Sequence, residues 1–169
     1  QRQMCIRDSD YAKTMTYSAH AVGIAKKLIQ NGADIVTDTN MALAGVNKKE
    51  LAKYGGKAHC FMAEEEVAKI AKENGTTRAT ASMDKAATLD KKLIFAIGNA
   101  PTALVRLYEL IEDGKLNPEL IIGVPVGFVN VVQSKELIMD SGAPYIVARG
   151  RKGGSNIAVS YTHLTLPTT

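Results

Sequence analysis

The feature that most constrains this chain is a repeated alternation of short, mostly apolar runs with longer amphipathic stretches. The runs are Asp34–Thr37 (DIVT), Ala58–Met62, Leu93–Ile97, Leu120–Val124 and Tyr145–Ala148. They are too short for helices and too uniformly apolar for a strand with one wet face, a pattern that suits strands buried on both sides. Helical spacing fills the intervals. Ala21, Val22, Ala25, Leu28 and Ile29 form one stripe, with Ser18 as a candidate cap and Gly32 as the stop. Ala63–Asn74 has Glu64, Glu65 and Glu66 in its first turn and Gly75 beyond its last, in the sense the helix dipole favours. Arg78–Leu89 reads as a less regular helix, Pro101 opens another with the stripe Ala103, Leu104, Leu107, Leu110 and Ile111, and Ser134–Ser141 is a short one. Such alternation specifies an α/β fold: a single three-layer domain with a mainly parallel sheet of about five strands flanked by helices.

Composition narrows the function. The longest apolar stretch, Leu120–Val132, is broken by Gly and Pro and falls short of the ~20 residues that cross a bilayer, so no membrane partner is expected. Cys5 and Cys60 stand far apart with no CxxC or Cys/His cluster, which argues against a disulfide framework or a structural zinc and fits a reducing cytoplasm. The net charge is +4, but the cations are interleaved with acids and there is no Trp. A nucleic-acid face is not expected, while a small polyanion is compatible.

The terminal segments Gln1–Ser9 (QRQMCIRDS) and Val159–Thr169 (VSYTHLTLPTT) share neither the periodicity nor the composition of the interior. They read as non-native tails on a core spanning residues 10–158, in which case Cys5 and His163 carry no function.

In parallel sheets ligands bind beyond the carboxyl ends of the strands. That rule selects Asp38–Asn40, Gly98–Thr102, Gly127–Asn130 and Arg149–Asn156. GNAPTAL (Gly98–Leu104) leaves free amides at a helix start, which is either an anion site or an ordinary strand-to-helix turn. RGRKGGSN (Arg149–Asn156) concentrates cations and glycines after a strand, either to meet carboxylates or as a solvated basic turn. PVGFVNVVQSK (Pro125–Lys135) could line an apolar cavity, form a subunit contact, or simply pack. There is no GxxxxGK[ST] loop and no dinucleotide fingerprint. His20, on the first helix, reads as a surface or packing residue, and His59, inside a strand, as a satisfied core histidine.

Four segments together, GADIVTDTNMALAGV (Gly32–Val46), AIGNAPTAL (Ala96–Leu104), GVPVGFVNVVQSKE (Gly123–Glu136) and ARGRKGGSN (Ala148–Asn156), occur in an order and at separations that resemble the precorrin-8X methylmutase family. The resemblance covers Asp10–Ala158, and Arg78, in GTTRATASM, falls where the family has an arginine. It implies a homodimeric isomerase without added cofactor that shifts a methyl group from C-11 to C-12 of precorrin-8X or its cobalt counterpart. The product is hydrogenobyrinic or cobyrinic acid. The implied substrate-binding residues are Thr39, Asn40, Arg78, Asn99, Thr102, Phe128, Arg151 and Ser155. No catalytic residue is assigned, because the family's acid, a histidine, lies upstream of the segment matching Asp10–Ser18, where this chain has QRQMCIRDS. His20 is not its substitute. Low turnover of this chain is therefore expected, and a non-catalytic corrinoid-binding protein is the alternative. A third reading is a phosphate-ligand enzyme built on GNAPT.

Overall fold

The computed structural model describes residues 13–165. Its centre is one sheet of six strands in the order β1-β6-β5-β4-β2-β3. The strands are β1 Met15–Tyr17, β2 Asp34–Thr37, β3 Ala58–His59, β4 Leu93–Ile97, β5 Leu120–Gly123 and β6 Tyr145–Ala148. β2 through β6 are parallel; β1 runs antiparallel along β6, with Met15 opposite Ala148 and Tyr17 opposite Ile146. The helices are α1 Ala21–Gln30, α2 Asn40–Gly45, α3 Lys48–Lys53, α4 Glu65–Glu73, α5 Arg78–Ala86, α6 Pro101–Glu112, α7 Val131–Asp140 and α8 Ser155–Thr165. None of the described helices is long and apolar enough to cross a membrane.

Why the central strands are mostly apolar is visible in how their side chains divide between two cores. Val36, Phe95, Ile97, Ile121 and Val147 point into one cluster with α4, α5, α6 and α7. Ile35, Ile94, Ala96, Leu120, Ile122, Ile146 and Ala148 point into another with α1, α3 and α8. Successive residues alternate faces, and both faces are covered. All five residues of β4 are buried, and each large side chain so covered contributes about 1.5–3 kcal/mol. The three layers follow from this.

The structure departs from the sequence reading at several elements. The sixth strand, β1, was not anticipated, because MTY is too short and too polar to carry a pattern. β3 ends at His59 rather than Met62 because Phe61 leaves the sheet line and joins the first cluster. Helices α2 and α3 lie where no element was expected, capped by Thr39 Oγ1 accepting from the Ala42 amide at 3.0 Å and Asn47 Oδ1 accepting from the Glu50 amide at 3.2 Å. Ser18 does not cap α1. Its amide and hydroxyl instead bond the carbonyl and amide of Tyr145, at 3.0 and 2.9 Å, and α1 starts after His20, whose φ is 57°. α7 begins at Val131, three residues before the expected Ser134. The helix opened by Ser155 continues to Thr165, and its residues 160–162 pack on the fold. They do so because Ala158 and Thr162 are buried and the Tyr161 hydroxyl meets that of Tyr17 at 2.9 Å. Cys5 lies outside the described residues.

Candidate functional site

The carboxyl ends of β2, β4, β5 and β6 open on one side of the sheet, and each is continued by a loop from the selected segments. After β2 comes Asp38, 1% exposed. Its carboxylate accepts from the amides of Gly98, Asn99 and Ala100 at 2.9, 2.8 and 2.7 Å. These are the free amides ahead of α6. Ala100, at the cap position, has no side chain able to satisfy them, and Pro101 follows it. The anion site suggested by GNAPT is therefore filled by the protein's own carboxylate, which removes the basis for the phosphate-ligand reading. Burial pushes the Asp38 carboxyl above its ordinary value, against the pull of the three amides.

Next to Asp38, Thr39 Oγ1 meets Ser155 Oγ at 2.9 Å, joining the end of β2 to the start of α8. This approach requires glycine at two positions. A Cβ on Gly98 would lie 2.6 Å from the Ser155 Cα, and one on Gly153 would collide with the carbonyl oxygens of Val124 and Pro125. Gly154 donates its amide to the Val124 carbonyl at 2.8 Å and has φ 136°, a conformation glycine adopts without strain.

Over β5 and β6, the Arg151 guanidinium stands 5.6 Å from the Phe128 ring centre, within cation–π range. Phe128 is 82% and Val129 77% exposed. Beneath the loop, Lys135 of α7 is 1% exposed, and its Nζ donates to the Gly150 and Lys152 carbonyls at 2.8 and 2.9 Å. Burial pushes its pKa down to about 8.

On the α5–α6 side, the Thr77 hydroxyl caps α5 and donates to Thr102 Oγ1 at 3.3 Å. The two line a cleft of about 650 Å³ with Asn74, Thr80, Arg106 and Asn130. Arg106 is committed to Asp84 and Glu109, at 2.6 and 2.9 Å, and these acids hold its pKa above the ordinary value. Arg78, the first residue of α5, is exposed beside this cleft's capping threonine.

The eight residues assigned from sequence thus lie on the strand-end side, with contacts linking Thr39 to Ser155, Arg151 to Phe128, and Thr102 to the neighbour of Arg78. Asn99 contributes its amide to Asp38 and its side chain is exposed, as is that of Asn40. Sequence reasoning passed over the roles of Asp38, Lys135 and Thr77. A signal existed for Lys135, which shares a helix face with Val131 and Ile138, so a cation there had to be buried.

Among the described side chains, His20 and His59 take no part in this site. His59 Nε2 bonds Asp34 Oδ2 at 2.8 Å and its ring stacks on Phe61. Burial raises the Asp34 carboxyl, but His59, Lys91 and the Lys57 amide outweigh it and hold the group below its usual value. His20 is exposed and follows β1, whose end lies beside the start of β6, on the far side of the sheet. Among the described residues, no group of three or more His, Cys, Asp or Glu could hold a metal.

Comparison with known proteins gives a consistent result. The family model for precorrin-8X methylmutase matches residues 4–166. The cobalt-precorrin-8 methylmutase of Leptospira interrogans is 40% identical over 167 residues, covering 94% of this chain and 76% of the relative. The precorrin-8X methylmutase of Pseudomonas aeruginosa is 35% identical over 153 residues, 89% of this chain and 73% of the relative. The crystal structure of precorrin-8X methyl mutase from Thermus thermophilus superposes with a TM-score of 0.84 at 37% identity, over 95% of this chain and 79% of that one. With its sheet order, its glycine-dependent strand-end loops and these relatives, the chain belongs to the precorrin-8X methylmutase family.

Proposed function

We propose that this chain serves cobalamin biosynthesis as an isomerase core that binds precorrin-8X or cobalt-precorrin-8 at the strand ends and supports transfer of a methyl group from C-11 to C-12. One carbon–carbon bond breaks as another forms on the same macrocycle, so the composition is unchanged and no redox partner or added cofactor is required. The observation that carries the reading is the gathering of Arg151, Phe128, Arg78 and the Thr39–Ser155 hydroxyl pair on one side of the sheet in a member of this family.

In this reading, Arg78 and Arg151 receive ring carboxylates, where a guanidinium makes paired hydrogen bonds. Phe128 offers a face to the macrocycle, and Thr39, Asn40, Asn99, Thr102 and Ser155 supply polar contacts. The protein's work is to hold the reactive tautomer in position. Protonation of the conjugated ring eases the shift, and we assign that proton to no side chain among the described residues. The exposed Phe128 and Val129, with Val126 and Val132 beside them, support pairing of two copies, as the resemblance implies, and Cys60 as a free thiol suits a reducing cytoplasm.

The test is titration with the orange corrinoid product, together with an assay of precorrin-8X conversion followed by absorbance. Product binding with turnover supports the isomerase reading. Binding without turnover, both in this chain and in a version with a complete amino-terminal segment, favours a corrinoid-binding protein, and absence of binding overturns both. Arg78→Ala is expected to weaken product binding about tenfold, the worth of a charged hydrogen bond of ~1.5 kcal/mol; unchanged affinity removes Arg78 from the site.

A further inference from the structure

We propose that Lys135 is a positioning residue, a buried clamp that shapes the Arg149–Asn156 loop into a carboxylate-receiving surface. Lys135 sits on the inward face of α7 between Val131 and Ile138 and is 1% exposed. Its ammonium reaches the carbonyls of Gly150 and Lys152, at 2.8 and 2.9 Å. Those oxygens bracket Arg151, so the clamp fixes the residue whose guanidinium lies over Phe128. Main-chain bonds tie the loop at Arg149 to Thr14, at Arg151 to Gly127 and at Gly154 to Val124, and Lys135 adds side-chain ties at Gly150, which has φ 83°, and at Lys152. Lys135 also joins two of the segments at the strand ends, since α7 follows directly from the loop bearing Phe128.

A buried ammonium is costly unless its hydrogen bonds compensate for lost water. A methionine would fill the same space without that cost. What lysine adds is two oriented carbonyls and a further positive charge under the backbone of a loop whose sequence already carries Arg149, Arg151 and Lys152. Adding a cation to a cationic loop makes no sense as charge balancing. It makes sense beneath a surface that receives an anion.

The ligand in this inference rests on the functional reading above; the clamp does not. The test compares the full chain with Lys135→Met and Lys135→Gln in two assays: limited trypsin digestion without ligand, and titration with the corrinoid product. Thermal unfolding of each variant is recorded alongside. Lys135→Met is expected to be cut after Arg149, Arg151 and Lys152 at least tenfold faster, with cleavage elsewhere unchanged, and to bind product at least tenfold more weakly. Lys135→Gln, one bond shorter but still a donor, is expected in between, and carries the comparison if the Met variant does not fold. Folded variants with wild-type cleavage and affinity overturn the proposal, as does cleavage that rises evenly along the chain with a lower melting temperature. If the wild-type chain binds no product, the carboxylate-receiving role falls together with the functional reading, and the trypsin comparison still decides the clamp.

Discussion

Asp38 and Lys135 are opposite charges buried in one half of the molecule, and both are held by main-chain atoms. Asp38 accepts three amides that α6 leaves open. Asp38→Ala strands those donors in a dry environment, and the expected loss of stability is about 2–4 kcal/mol, read from urea unfolding. A loss under about 0.5 kcal/mol would mean that water replaces the carboxylate. Lys135 behaves differently with pH. Its folded-state pKa, about 8, lies below the ~10.4 of an unfolded lysine. The unfolded chain therefore holds the extra proton between these values, and the burial cost, full below pH 8, is relieved as pH rises towards 10.4. Wild-type stability relative to Lys135→Met should rise by up to about 3 kcal/mol over that window, and a flat difference would show that Lys135 titrates normally.

At the scale of elements, the junction of β4, α6 and α8 depends on an absent side chain. Gly98→Ala would push its methyl group into Ser155 at the start of α8. The expected result is a shifted helix start, a broken Thr39–Ser155 contact and product affinity reduced at least tenfold, with the sheet intact by circular dichroism. Retained affinity would show that the helix start can yield. The elements most legible in the sequence were those with two covered faces, β2, β4, β5 and β6, because burial on both sides leaves a short, mostly apolar run. Those least legible depend on distant partners. β1 is three residues long and exists through its ladder to β6. α2 and α3 are six residues each and held by local caps. The site divided in the same way: its loops were readable from glycine and charge, but the Asp38 bonds span about sixty residues of sequence, and no local pattern announces them.

For the whole molecule, the proposed pairing of two copies would rest on the exposed Phe128 and Val129. A second copy covering them should make sedimentation depend on protein concentration, and Phe128→Asp should leave a monomer with an unchanged far-ultraviolet spectrum. A wild-type chain that sediments as a monomer at high concentration would show that the patch serves the ligand alone. The five parallel strands place the loops after β2, β4, β5 and β6 on one side, while the turns around Gly55 and Gly114 lie on the other.

That arrangement bears on β1. Because this strand returns along β6 and Tyr17 meets Tyr161 of α8, the first and last described elements are neighbours. A circular permutant that opens at Gly114, between α6 and β5, and keeps the terminal residues within its linker is expected to retain the contacts of the strand-end loops. The order in which the elements are synthesised is therefore separable from the surface they build.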